Sequence, residues 1–107
     1  MALRETGKAA EAEPLLREAH DLRAAALPAT NRDLAQAKIE WGACLGQLRR
    51  YPEAEALLLA GHGTLSVSRD ATSVSAARAA LNKLVALYQA WGKKDEADRR
   101  RAQLAEP

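Results

Sequence analysis

The sequence has no phenylalanine and few of the side chains that favour β-strands. It contains one isoleucine, three valines and four threonines, whereas alanine and leucine supply most of its hydrophobic residues, which make up 48% of the chain. Alanine and leucine favour helices, while β-branched and aromatic side chains favour strands. The composition therefore indicates a helical protein, and 107 residues are enough for one domain.

Strong charge of either sign and long hydrophobic runs are also absent. Sixteen basic against fourteen acidic residues give a net charge of +2, too weak to indicate nucleic acid or an acidic membrane as partner. No apolar run approaches the roughly 18 residues of a membrane span, and no charged-then-apolar leader follows Met1. We therefore expect a cytoplasmic protein.

Cysteine is nearly absent. Cys44 stands alone, so an internal disulfide is excluded. Its neighbours Trp41, Gly42, Ala43 and Leu45 are apolar or small. This setting indicates a buried or half-buried thiol without a reactive role.

An internal repeat organises the chain. The segments "GKAAEAEPLL", "RRYPEAEALL" and "GKKDEADRRR" begin at Gly7, Arg49 and Gly92 and share a Glu-Ala pair. These pairs are Glu11-Ala12, Glu53-Ala54 and Glu96-Ala97, so successive copies are 42 and 43 residues apart. Repeats of this length are typical of stacked supersecondary units, each of which buries its apolar face against the next.

Apolar spacing and breakers together predict five helices. The apolar residues recur at three- and four-residue intervals within each segment, as an amphipathic helix requires. The predicted helices are 9–27, 31–48, 52–66, 72–91 and 94–105, with a helical stub at 2–6. Short turns are predicted at Gly7-Lys8, Arg50–Pro52 and Gly92-Lys93. Thr30 with Asp33 is predicted to cap the second helix, and Asp70 or Thr72 the fourth.

The residues "WGACL" from Trp41 and "LVALY" from Leu84 resemble the first-helix signature of the tetratricopeptide repeat. Ala12, Ala54 and Ala97 match its first small position. The period resembles the long repeats of the kinesin-light-chain type, which are common in bacteria. The closing "LVALYQAWGKKDEADRRRAQL" resembles the repeat tails of bacterial serine/threonine protein kinases. The resemblance implies an all-α, right-handed α-solenoid of antiparallel helix pairs, with a partial unit at 1–29, a unit at 30–70, and a unit at 71–107 that ends in a capping helix.

The two ends depart from the family pattern. The first unit lacks almost all of its first helix, which would leave an apolar flank of helix 9–27 exposed. We expect a fragment, an abbreviated gene product, or a chain that self-associates through its N-terminal end. The last helix carries Arg99, Arg100 and Arg101, a polarity that suits a C-terminal cap facing water.

Residues that could carry chemistry are sparse. His20 and His62 lie one repeat apart, but no cluster with metal-ligand spacing accompanies them. The Gly61-His62-Gly63 stretch lacks the third glycine of a dinucleotide fingerprint and follows no strand. Gly61 matches the second small position of the repeat, so we expect a packing role there. We predict no catalysis, metal or cofactor; an enzyme using both histidines is the weaker alternative.

The resemblance implies one functional surface. In this family, first helices line a concave groove that holds a partner peptide or helix, and the matching residues are Gln36, Ile39, Ala43, Gln47, Asn82, Lys83, Ala86 and Gln89. Asn82 matches an asparagine that binds a peptide backbone, although a solvent-facing polar role is as good an account. The expected function is a protein–protein interaction module or scaffold. The alternative is the interaction or regulatory segment of a bacterial serine/threonine kinase or another multidomain signalling protein.

Overall fold

The computed structural model describes the backbone of residues 2–105 and the side chains of residues 7–105. Within this range all regular secondary structure is helical, with no strand. The five helices are α1 (Ala2–Ala26), α2 (Arg32–Gln47), α3 (Tyr51–Ser66), α4 (Ala71–Trp91) and α5 (Lys94–Ala105). None of them, over the residues described, has the length and hydropathy that crossing a membrane would require.

The helices pack in chain order. Each helix contacts the next, and α2 also contacts α4. The molecule measures 38 × 36 × 20 Å. Because a helix with its side chains is about 10–12 Å across, the 20 Å dimension corresponds to two layers of helices.

The predicted positions of α2 to α5 are confirmed, but the turn predicted at Gly7-Lys8 is wrong. Helix α1 runs without a break through both residues. The matching turns after α2 and α4 join helices that bury apolar surface against each other. Among the described residues, those from 2 to 7 continue α1 along its axis and have no antiparallel helix to pack against, so the helical hydrogen bonds across Gly7 are kept.

The core lies between α2, α3 and α4. Its largest fully buried side chains are Tyr88, Ile39, Leu45, Leu58, Leu65 and Leu84. Small residues fill the closest contacts: Ala54 and Ala97, which share a register position in the repeat, are 0% and 1% exposed. A chain without phenylalanine reaches a dense interior in this way, by bringing backbones close together.

The helix ends follow recognisable capping rules. Of the two predicted candidates, Asp70 and not Thr72 caps α4, because its carboxylate accepts from the Ser73 backbone N–H at 3.0 Å. The prediction for α2 is wrong: Asn31, rather than Thr30, is the N-cap, and its Oδ1 accepts from the Asp33 N–H at 2.8 Å. Asparagine is among the strongest N-cap residues. Asn31 lies at the position where the chain enters α2, one residue later than the predicted cap.

Candidate partner-binding groove

A concavity lies along α2 and α4, near the C-terminal ends of both helices. It encloses about 760 Å³ and is lined by Gly42, Ala43, Gly46, Gln47, Arg49, Tyr51, Leu58, Lys83, Ala86, Leu87 and Ala90. Small residues form much of its wall, and Leu58 and Leu87, both buried, form an apolar floor. A cleft of this size with an apolar floor and a few polar groups has the general form of a binding site.

The groove exists because two glycines of α2 face inward. A Cβ at Gly42 would lie 3.1 Å from Leu57 Cβ and 3.1 Å from Leu58 Cγ, both on α3. At Gly46 the Cβ would lie 3.3 Å from Leu87 Cδ1 on α4. These contacts are tight, so α2 packs close to α3 and α4. The surface of the molecule along α2 is therefore concave.

Tyr51, which lines the groove, belongs to an aromatic stack. Tyr51 begins α3 and stacks on Trp91, the last residue of α4, with 5.6 Å between ring centroids. Trp91 also stacks on Tyr88 at 6.4 Å, and the Lys93 ammonium lies 3.9 Å from the Trp91 ring centroid. A cation over an indole face is attracted by the ring's charge distribution. The stack therefore ties the end of α4 to the start of α3.

The turn after α2 supplies a second wall. The Arg50 N–H donates to the Leu45 carbonyl at 2.9 Å and the Arg49 N–H to the Gly46 carbonyl at 3.1 Å. This is the Schellman pattern, in which the residue after the C-cap takes a left-handed conformation. Arg49 has φ 64°, a strained value for a residue with a side chain. Its cationic side chain is thereby held at the groove.

The charged side chains in the groove lining are Arg49 and Lys83, and both are basic. Two acidic groups of α3 are paired with other residues. Glu53 forms an ion pair with Arg50 at 2.7 Å, and the Glu55 carboxylate accepts from the Tyr88 hydroxyl at 2.7 Å. Burial and this hydrogen bond raise the pKa of Tyr88 to about 12, so its hydroxyl stays protonated. The groove thus favours a ligand with negative charge.

The residues predicted for the groove fall into three groups. Ala43, Gln47, Lys83 and Ala86 line the main concavity. Gln36, Ile39 and Lys83 line a shallower one of about 520 Å³ beside the start of α4, so Lys83 joins the two. Asn82 and Gln89 are exposed on α4 but lie outside the lining of both.

Ile39 presents almost no surface to a partner. Its side chain is 1% exposed and fills the space beside Gly61, where an added Cβ would come within 2.5 Å of Ile39 Cγ1. The prediction took Ile39 as a contact residue because of its register on α2. The structure instead places it in the core, at the bottom of the shallower concavity.

Several lining residues were not predicted. The main concavity is also lined by Arg49, Tyr51, Leu87 and Ala90. The prediction compared equivalent positions in first helices only, so it did not consider Arg49 in the turn or Tyr51 at the start of α3. The available signal was the alignment of "RRYPEAEALL" with "GKKDEADRRR". In this alignment Arg49 matches Gly92, the natural residue for a left-handed helix end.

The two histidines lie in separate surroundings. The His20 ring packs on Trp41 with 5.0 Å between centroids, and its Nδ1 is 3.0 Å from an Asp21 oxygen. His62 is half-buried on α3; burial and then the nearby Arg100 charge lower its pKa. In the described part of the chain, no group of three or more histidine, cysteine, aspartate or glutamate side chains could hold a metal ion.

A polar contact secures α1 to α2. Trp41 Nε1 donates to the Glu13 carboxylate at 2.8 Å, and Glu13 is 7% exposed. The Cys44 thiol donates to the Ala9 carbonyl at 3.1 Å. Burial, together with the Glu13 charge, raises the pKa of Cys44. The thiol is therefore protonated at neutral pH and enclosed, as expected from the sequence.

No protein-family model, curated protein or solved structure matches this chain. The likeness to tetratricopeptide repeats therefore depends on the residues of the sequence alone.

Proposed function

We propose that the chain is a protein–protein interaction module of the tetratricopeptide type, a right-handed α-solenoid segment that binds a partner peptide or helix in the α2/α4 groove and has no chemistry of its own. The observation that carries the proposal is the open groove of about 760 Å³ on the face formed by the first helix of each pair. Contacts in chain order, together with the α2–α4 contact, support the stacked arrangement.

The groove lining defines the kind of partner. Ala43, Gly46, Ala86 and Ala90 allow a backbone or a bulky apolar side chain to approach the floor. Gln47 can donate to and accept from a partner main chain. A partner segment with an apolar anchor above Leu87 and a carboxylate near Lys83 would satisfy both parts of the surface.

The alternative function uses the same groove. A module joined to a bacterial serine/threonine kinase or another signalling domain would recruit substrates or regulators through the same residues, so the two proposals differ in what the module serves. For either, we propose a cytoplasmic setting, which agrees with one enclosed, protonated Cys44 thiol.

The proposal is tested by filling the groove. Ala86 is exposed on the groove wall, so Ala86→Trp should occupy the cavity without disturbing the core. Peptides selected from a displayed random library on the wild-type chain should bind with a measurable Kd, and Ala86→Trp should weaken them by about tenfold or more. Their addition should shift the NMR amide signals of Ala43, Gly46 and Lys83.

Ala24→Trp is the matched control, because Ala24 is also exposed but lies on α1. It should leave the selected peptides bound as in the wild type. Peptides that bind wild type and Ala86→Trp equally, with amide shifts on another face, would refute the groove assignment. Failure to select any peptide that binds the folded chain specifically would count against the interaction function itself.

A further inference from the structure

The turn that ends α2 contains an arginine where the equivalent turn after α4 contains a glycine. In both turns the residue after the left-handed one donates its N–H to a carbonyl five residues earlier, at 2.9 Å and 2.8 Å. The left-handed residues are Arg49 and Gly92, with φ 64° and 82°. Glycine adopts this conformation without steric cost, whereas a residue with a Cβ does not. The shared turn geometry therefore favours glycine at both positions.

The Arg49 side chain has no partner that would offset this cost. The neighbouring Arg50 has one, because its guanidinium donates twice to the Glu53 carboxylate, at 2.9 Å and 2.7 Å. Arg49 is exposed, and among the described residues its guanidinium has neither an ion pair nor a side-chain hydrogen bond. A strained residue without a structural partner indicates a role in binding.

The charges around the groove make this role electrostatic. Arg49 lines the main concavity, and the half-buried Lys83 lines both the main and the shallower one; no acidic residue lines either. An adjoining concavity between α1 and α2 adds one charge of each sign, from Lys8 and Glu40. The α3 carboxylates described above are paired. The groove therefore has a positive potential that comes from two cations.

The two cations belong to different parts of the groove. Lys83 precedes Ala90, another lining residue, by seven positions, which is about 10 Å along α4. Arg49 lies at the Ala90 end, because Tyr51, two residues later, stacks on Trp91. Between the two cations the floor of the groove is apolar. A segment lying along the groove therefore meets a cation, an apolar surface and a second cation in turn.

We infer that Arg49 is a binding residue whose guanidinium holds a carboxylate of the partner, and that the partner is an acidic peptide segment. A second carboxylate of this segment pairs with Lys83, and an apolar side chain between the two contacts the floor. Arginine suits the first position because its N–H groups bind a carboxylate through two parallel hydrogen bonds. The inference rests on the proposed function, since it names the class of partner for the same groove.

The peptides selected on the wild-type chain provide the probe, synthesised with acetylated and amidated ends so that their termini are uncharged. They should contain aspartate or glutamate on both sides of an apolar residue. Fluorescence anisotropy should show that Arg49→Gly weakens their binding by about tenfold or more and that Lys83→Gln also weakens it. Arg49→Gly should at the same time raise Tm, because it relieves the left-handed strain. A purely structural role for Arg49 would not combine higher stability with weaker binding.

Two controls isolate the charge of Arg49. Arg69→Gly makes the same chemical change in an exposed turn that lies outside the lining of both concavities, so it should bind the peptides as the wild type does. The second control replaces the acidic residues of a selected peptide by their amides. The wild type and Arg49→Gly should bind this neutral peptide equally, because the charge pair is already absent.

Four results would overturn the inference. Peptides selected without acidic residues, or equal binding of an acidic peptide by the wild type and Arg49→Gly, would remove the acidic partner; if Ala86→Trp still weakened binding, the groove function itself would stand. A lower Tm for Arg49→Gly would make the arginine a structural residue. A concentration-dependent dimer in sedimentation that Ala86→Trp dissolves would make a second copy the occupant. Failure to select any peptide would refute the inference together with the proposed function.

Discussion

The pair α2–α3 and the pair α4–α5 share one register, but they close in different ways. In the first pair, Gly61 lets α3 approach α2 so closely that an added Cβ would lie 2.8 Å from the Ala35 carbonyl oxygen. In the second pair, the same register position is Leu104, which is half-buried at the edge of the core. The first pair is held by backbone proximity, whereas the second covers the core with longer side chains.

The polar residues of α5 follow from this difference. Leu57 and Leu58 of α3 correspond to Arg100 and Arg101 of α5. Arg101 pairs with Asp98 at 3.0 Å and is exposed, whereas Ala97 is the fully buried residue of α5 within the described range. A helix that packs against a single neighbour needs a narrow apolar stripe. A helix that packs between two neighbours needs a wider apolar stripe. This explains how similar segments produce one helix packed between two neighbours and another packed against one.

Gly61 provides the largest expected effect. Gly61→Ala brings a methyl group against a backbone carbonyl that cannot move independently, so we expect a loss of about 2 kcal/mol in the free energy of unfolding, after the gain in helix propensity. Gly63→Ala is the control, because an added Cβ there meets nothing within 4 Å. It should stabilise the protein by about 0.5–1 kcal/mol. Urea denaturation of both variants checks the prediction, and equal effects would contradict the close packing of α2 on α3.

The two turns should respond in opposite directions. Arg49 and Gly92 occupy the same register and have φ 64° and 82°. Arg49→Gly removes the left-handed strain and should raise the unfolding free energy by about 1 kcal/mol, while Gly92→Ala introduces it and should lower stability by about the same amount. Thermal denaturation measures both. Destabilisation by Arg49→Gly would show that the arginine side chain contributes more than its backbone conformation costs.

The comparison also shows how far the sequence predicts the structure. The boundaries of α2 to α5 follow from local signals, such as Pro52 at the start of α3 and Gly92 at the end of α4, and these are confirmed. The course of α1 does not follow, because Gly7 has the local signal of a turn but lacks the tertiary contacts that make a turn favourable. Register identifies equivalent positions, and the surrounding helices decide what happens at them.

The candidate site was predictable to a similar extent. The spacing of Ala43, Gln47, Lys83 and Ala86 places them on one side of α2 and α4, and they line the groove. Ile39 lies on α2 close to that side, yet it is in the core. Successive residues of a helix are rotated by about 100° around its axis, so the placement of α2 decides which of its residues face the groove and which face the core. That placement depends on the contacts made by Gly42 and Gly46. The Tyr51–Trp91 stack joins residues distant in sequence, so no local pattern indicates it.

The caps of the two pairs differ in their response to acid. Asn31 caps α2 and cannot titrate, whereas Asp70 caps α4 and accepts from the Ser68 hydroxyl and the Ser73 N–H. These bonds lower the pKa of Asp70 to about 2. A lowered folded-state pKa stabilises the protein above the unfolded value of 3.8 and loses that contribution as pH falls towards 2.

Asp70→Asn tests this difference, because asparagine also caps a helix but carries no charge. The wild type should lose more stability than Asp70→Asn as pH falls from 5 to 2. The loss should be concentrated in the pH interval between the unfolded and the folded pKa of Asp70. Urea midpoints measured across this range provide the comparison. Parallel pH profiles for the two proteins would show that the Asp70 charge makes no contribution.

The smallest expected effect concerns the two histidines that the repeat places at one register. Burial of His62 on α3, together with the Arg100 charge, lowers its pKa from the ordinary 6.5. The unfolded chain therefore binds a proton at this residue more readily than the folded chain does, so stability should decline slightly as pH falls below about 6.5. His62→Gln should reduce this decline. The His20 ring lies against Trp41 instead, so His20→Gln should show the same decline as the wild type. Urea midpoints at pH 7.5 and pH 5.5 measure the difference. Equal pH dependence in wild type and His62→Gln would mean that α3 and α5 leave His62 as accessible to protons as the unfolded chain does.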